Sequence, residues 1–222
     1  MTEKHVEHND AVAKMQGFWG RYQKPLLIVL AVIVIGGGGW YGYNQYILKP
    51  KEEKAADALY KAQQYFGMDS ANLVLNGDGQ SRGVLYIINN YGGTKAGNLA
   101  HYYAGVSYLK LGDFNNAVKH LKDFSTDAKQ IQLMAYGCLG DAYSELNKKE
   151  DAIASYKKAG EVFEKDENNS SEYLFRAALL AEASGNATQA LDLYKELKEK
   201  YPRTDKGFQA DKYINRLSIE KN

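Results

Sequence analysis

Four pairs of residues in the middle of this chain stand 35 positions apart: Gly105 and Gly140, Tyr108 and Tyr143, Ala117 and Ala152, Leu121 and Tyr156. One offset joining four pairs constrains the fold strongly. A period of about 20–50 residues marks a chain built by stacking one supersecondary unit. The first unit reads Ala104-Gly105-x-x-Tyr108, then Gly112-Asp113, Ala117 and Leu121. The next reads Leu139-Gly140-x-x-Tyr143, then Asn147, Ala152 and Tyr156. A third reads Ala177-Ala178-x-x-Ala181, then Gly185, Ala190, Tyr194, Leu197 and Pro202. Ala152 and Ala190 stand 38 apart. The extra residues are assigned to the polar stretch Asp166–Ser170, read as a longer loop before the next helix.

The pattern resembles the tetratricopeptide repeat (TPR), in which a small residue and a Tyr on a first helix are followed by a tight turn, then an Ala and an aromatic on a second helix. Physical chemistry supports the likeness. Gly105, Gly140 and Ala178, with Ala117, Ala152 and Ala190, suit two antiparallel helices in close approach, and Tyr108, Tyr143, Tyr156 and Tyr194 can fill the space between units. Gly112 and Gly185 can take the left-handed conformation that closes a helix. Such units bury their apolar faces only against one another, so at least about three are needed. With 3 Pro in 222 residues, few helix interiors are interrupted. The fold expected is all-α, an N-terminal transmembrane helix followed by a TPR solenoid.

The transmembrane helix is read at residues 25–43, PLLIVLAVIVIGGGGWYGY, a stretch without charge. As a helix it measures roughly 28 Å, close to the hydrocarbon thickness of a bilayer. Arg21 and Lys24 flank one end and Lys49, Lys51 and Lys54 the other. Trp19, Tyr22, Trp40, Tyr41 and Tyr43 stand where interfacial aromatics collect. Gly38 and Gly42 form one small-xxx-small pair that could pack on a partner helix. A cleaved signal peptide with Leu26–Ile35 as its apolar region is the competing reading. The head of 24 residues and the aromatics directly after the glycine run favour a retained signal anchor, with the head inside and the large domain outside.

The layout then reads as a cytoplasmic head at 1–24, the anchor at 25–43, a linking helix with a degenerate first repeat at 44–97, three repeats at 98–203 and a capping helix at 204–222. In the degenerate unit, Lys51–Phe66 is expected to be helical, Asp69–Asp78 a loop and Gly83–Tyr91 a second helix. Tyr91-Gly-Gly-Thr-Lys-Ala-Gly97 is echoed by Tyr201-Pro-Arg-Thr-Asp-Lys-Gly207, which marks two equivalent repeat ends. With Leu75-Asn-Gly-Asp-Gly79 and Tyr91–Ala100, this layout is similar to the YfgM-like family of bacterial inner-membrane proteins. That resemblance implies a single-pass inner-membrane protein with a periplasmic repeat domain. It also implies association with the SecYEG translocon, with a periplasmic prolyl isomerase or chaperone, and with nascent secretory chains. A structural scaffold in cell-envelope assembly without translocon contact is the alternative, and a cytosol-facing domain a third.

Chemistry is sparse in the sequence. Cys138 is the single cysteine, so neither an intramolecular disulfide nor a multi-thiolate zinc site can form. His5 and His8 lie in the head. His101 and His120 lie on repeat helices, each read without a Cys or carboxylate at ligand spacing on its own face. Asn76-Gly-Asp-Gly79 lacks the alternating acids and closing Glu of a calcium loop. Neither cofactor nor enzymatic activity is expected. Formal net charge is +1, which argues against a dedicated nucleic-acid binder. If first helices line the inner face of the stack, that face should show Leu99, Tyr102, Val106 and Leu109, then Met134, Asp141 and Glu145, then Glu172, Phe175, Leu179 and Glu182. It would be apolar at one end and acidic at the other. Tyr102 and Val106 stand where a carboxylate clamp would need Lys, Arg or Asn. The apolar members either pack between repeats or form a groove for a helix or an unfolded segment.

Overall fold

The computed structural model describes the backbone of residues 3–219 and the side chains of 15 and 17–218. The expectation for His5 and His8 concerns side chains outside the described residues. The chain divides into two compact units between Lys51 and Glu52.

The first unit is helical. α1 runs Glu3–Tyr43, and Asn44–Leu48 continue in wider π-helical turns, where Lys49 Nζ donates to Gln45 Oε1 at 2.6 Å. Pro25 lies inside α1, where it removes one backbone donor. The apolar side chains from Leu26 to Ile35 are exposed, as are Trp40, Tyr41 and Tyr43. This is the one helix among the described residues long and apolar enough to cross a membrane. At Gly38 and Gly42 an added methyl group would meet nothing within 4 Å.

The second unit begins in α2 (Lys49–Gly67), which buries Ala55, Leu59 and Ala62 along one stripe. Two short helices answer it, α3 (Ala71–Asn76) and α4 (Val84–Tyr91). The expected loop at Asp69–Asp78 is therefore corrected. Val74 and Leu75 are buried in one cluster with Val84, Ile87, Ala96 and Ala100, and that burial folds the segment into a helical turn. Gly77, at φ 81°, ends it. Asp78 closes the following turn by accepting from the backbone of Gln80 and Ser81, while the Tyr65 hydroxyl donates to its other oxygen.

Three helix pairs follow: α5 (Lys95–Lys110) with α6 (Phe114–Asp123), α7 (Lys129–Glu145) with α8 (Lys149–Val162), and α9 (Glu167–Ala183) with α10 (Ala187–Lys200). α11 (Asp205–Ile219) packs on α9 and α10. Each pair closes on a left-handed residue: Gly112 at φ 78°, Asn147 at 54° and Gly185 at 81°. Asp113 and Asn186 then cap the second helix, accepting from the backbone N–H three residues on.

Inside each pair a large residue of the second helix answers a small one of the first, always 16 positions later: Leu121 with Gly105, Tyr156 with Gly140, Tyr194 with Ala178. A methyl group at Gly105 would lie 2.5 Å from Leu121 Cγ, and one at Gly140 2.5 Å from the Tyr156 ring. Ala178 and Tyr194 are both fully buried in one cluster. Asp166–Ser170 is corrected from loop to helix start. Asp166 caps α9 through the backbone N–H of Asn169, and Ser170 Oγ donates to the Phe163 carbonyl. The extra residues of the third unit instead lengthen α8, which has 14 residues against 10 in α6.

The two echoed repeat ends share one geometry. Thr94 Oγ1 accepts from Gly97 N at 2.9 Å and donates to the Tyr91 carbonyl. Thr204 Oγ1 accepts from Gly207 N at 3.1 Å and donates to the Tyr201 carbonyl. A methyl group at Gly97 would lie 2.2 Å from Tyr91 O, and one at Gly207 1.9 Å from Tyr201 O.

Two substitutions separate crowding from backbone strain. Gly140→Val is expected to destabilise the repeat unit by about 1–3 kcal/mol through overpacking against Tyr156. Gly112→Ala meets no atom within 4 Å and is expected to cost about 1–2 kcal/mol through its left-handed backbone alone. Thermal melting checks both, at about 2–4 °C per kcal/mol for a domain of this size. An unchanged melting temperature for Gly140→Val contradicts the close helix contact.

Candidate protein-binding face

α5, α7, α9 and α11 are the first helices of successive units, and their side chains meet along one face of the repeat unit. At the α5 end the face is aromatic. The Phe66 and Tyr103 rings meet edge to face at 4.9 Å, and Gln63 donates to the Tyr103 hydroxyl at 3.3 Å. Lys110 pairs with Asp69 and sits 5.0 Å over the Phe66 ring.

The apolar residues expected on this face divide by burial. Tyr102 and Val106 are each 8% exposed and pack with Leu121, Phe124, Ala135 and Leu139. Phe175, at 5%, belongs to the core under α10 and α11. These three are core between repeats. Leu99 and Leu109 are half-buried. Met134 at 46% and Leu179 at 37% are the expected apolar members that stand exposed.

The expected acidic end is paired. Asp141 accepts from the Tyr156 hydroxyl at 2.7 Å and from Arg176 Nη1 at 3.3 Å. Arg176 Nε donates to Glu172 at 2.9 Å, and Lys206 reaches the other oxygen of Glu172 at 3.1 Å. Glu182 accepts from the Tyr194 hydroxyl and pairs with Arg216. Glu145 is exposed. Burial works against the charged form of Glu172, but the Arg176 and Lys206 hydrogen bonds outweigh it and hold the carboxyl below its ordinary value.

The same cations lie over aromatic rings: Arg176 over Tyr173 at 5.4 Å, Lys206 over Phe175 at 4.8 Å and Arg216 over Tyr213 at 5.0 Å. The face is therefore a charge-compensated ladder across α7, α9 and α11. The three basic residues were missed in the sequence. Glu172 and Arg176, four apart on a helix, were the available signal. Lys206 and Arg216 carried none, since a capping helix is expected to turn its charges to water.

Cys138 is half-buried and packs against the cluster of Tyr102, Val106 and Leu139, where burial pushes its thiol up to about 12. His101 and His120 are brought together across α5 and α6. Their Nδ1 atoms are 3.2 Å apart, and Asp123, one turn from His120, lies 4.0 Å from His101. Among the described residues no group of three or more such side chains is arranged to hold a metal ion.

Residues 16–137, more than half of the chain, match the family model described as a tetratricopeptide repeat-like domain, and residues 172–204 match a tetratricopeptide repeat. No curated protein matches the chain. Among solved structures it is similar to the nearly identical TPR-like repeats of a candidate kinesin light chain from Podosopora anserina. The TM-score is 0.52 at 12% identity, over 74% of this chain and 85% of that one. A single-substitution variant of that protein gives the same score and identity, over 74% and 84%. At this identity the likeness is one of fold, and it agrees with the paired helices. The chain belongs to the tetratricopeptide repeat-like domain family, whose repeats mediate protein–protein interaction.

Proposed function

We propose that this protein is a membrane-anchored adaptor at the protein-export translocon of a bacterial inner membrane. Its repeat unit stands on the periplasmic side, where it binds a prolyl isomerase or chaperone, or an emerging chain. The observation that carries the anchor is the apolar helix. Its apolar window is wholly exposed, so lipid or a partner helix must cover it in a cell. Gly38 and Gly42 then offer a close-packing surface to a translocon helix. The translocon itself is supported by the likeness of layout to the YfgM-like family.

Within the repeat unit, Met134 and Leu179 are the apolar contacts we assign to the partner. Leu99 and Leu109 border them, while Tyr102, Val106 and Phe175 hold the face in shape. Asp141, Glu172 and Glu182 orient the cations, and with Glu145 they set the polar rim. Such a face suits an amphipathic helix or an unfolded segment, with apolar side chains centred between charges.

Crosslinking in native membranes followed by mass spectrometry is expected to recover translocon subunits together with a periplasmic folding factor. Recovery of envelope-assembly components without any translocon subunit would replace this reading with a scaffold. Protease added to intact spheroplasts is expected to digest the repeat unit and spare a head-tagged anchor fragment. Resistance until the membrane is broken would place the repeats in the cytosol. Met134→Asp with Leu179→Asp is expected to reduce partner recovery about tenfold while leaving the melting temperature nearly unchanged, since exposed sites tolerate substitution. Undiminished recovery would remove this face from the interaction.

A further inference from the structure

His101 and His120 are positioned for more than packing. His101 is 16% exposed at its side chain and His120 7% overall. Their rings are tilted at 45° with centroids 5.3 Å apart, and Tyr108 stacks on His120 at 5.5 Å and 9°. A contact of 3.2 Å between two Nδ1 atoms needs one donor and one acceptor. Two neutral rings satisfy it by choice of tautomer, and one charged ring satisfies it as donor. Two charged rings offer only donors, and they repel.

The charged groups acting on the rings are Asp123 and Lys119, both on α6, and Tyr108 of α5 covers one face of His120. Asp123 can balance one positive charge. Lys119 opposes any.

We propose that His101 and His120 form a proton-sensitive latch that holds α6 against α5 while at least one ring is neutral and releases it when both are charged. What the latch holds is specific. Beyond His120, α6 places Leu121 against Gly105, and Phe124 with its ring 5.4 Å from Tyr102. Asn98 on α5 then clasps Ser125, donating to its carbonyl at 2.8 Å and accepting from its N–H at 3.3 Å. Release of α6 withdraws the support under the aromatic end of the inner face. The latch rests on ring geometry and goes beyond any reading of the partner.

The direction with pH follows from burial, which pushes both imidazoles below their usual range. For His120 the neighbouring His101 and then Lys119 push the same way, against Asp123. For His101 Lys119 lowers further while Asp123 opposes. A group lowered on folding binds its proton more readily in the unfolded chain. The latch is therefore fully closed above the ordinary imidazole value of about 6.5 and weakens as pH falls below it.

The full chain in detergent or nanodiscs supplies the test. Between pH 7.5 and 5.5 the wild type is expected to lose about 2–4 °C more in melting temperature than His101→Gln with His120→Gln. Equal losses overturn the latch. Should the double variant fail to fold, the wild type answers alone. With isotope-labelled histidine, and signals assigned by single variants, the two rings are expected to titrate in separated steps, the second well below the first. Joint titration at the ordinary value overturns the proposal. Hydrogen exchange corrected for intrinsic rate is expected to accelerate at pH 5.5 across 114–125 and not across 167–183. Uniform acceleration, or none at 114–125, overturns it as well.

Discussion

A side chain seated on a residue too small to push back is the contact on which this repeat unit depends. Leu121 on Gly105 and Tyr156 on Gly140 leave no room for a methyl group, and Tyr194 with Ala178 repeats the register with the smallest one. That contact sets the distance between the helices of a pair. The distance sets how the next pair can be placed, because interiors pack densely and do not stretch. Turn chemistry follows from it. Two helices brought so close must be joined by few residues, and a left-handed position is the shortest way to reverse the chain and cap both ends.

The first pair solves the same problem by other means. α2 buries Ala55 and Ala62 in one cluster with Leu75, Val84 and Ile87, and its answering helix is broken into α3 and α4. Here Glu52 reaches across to accept from the backbone N–H groups of Lys95 and Ala96 at 2.7 and 2.9 Å. A carboxylate thus satisfies the exposed donors at the start of α5, where the helix dipole favours negative charge. Glu52 thus ties the irregular unit to the first regular one, beside the Gln63–Tyr103 and Asp69–Lys110 contacts.

Much of this was legible because the period is a property of backbone geometry. Residues 35 apart repeat because one helix pair and its turns use about that many residues. Asn147 could be aligned with Gly112 but not recognised as a left-handed position, since Asn adopts that conformation only when its surroundings ask for it. The polar run at Asp166–Ser170 has the composition of a loop, yet its Asp and Ser serve as cap and first turn. Composition alone does not separate the two uses. α3 was hidden because six residues are too few for helical periodicity to show. The acids of the inner face were legible as residues, but not as partners. Arg176 reaches Asp141 from 35 positions away, and Lys206 reaches Glu172 from 34. His101 and His120 likewise met only once α5 and α6 were folded together.

The ladder from Asp141 through Arg176 and Glu172 to Lys206 runs across three helices, and Glu182 with Arg216 adds a second charged link between α9 and α11. Its members are about a third to two-fifths exposed, so dissolved ions can reach them. The apolar contacts around Tyr102 and Phe124 are shielded from that influence. Dissolved salt thus reaches the charged seam of this face and leaves the buried contacts beneath it untouched.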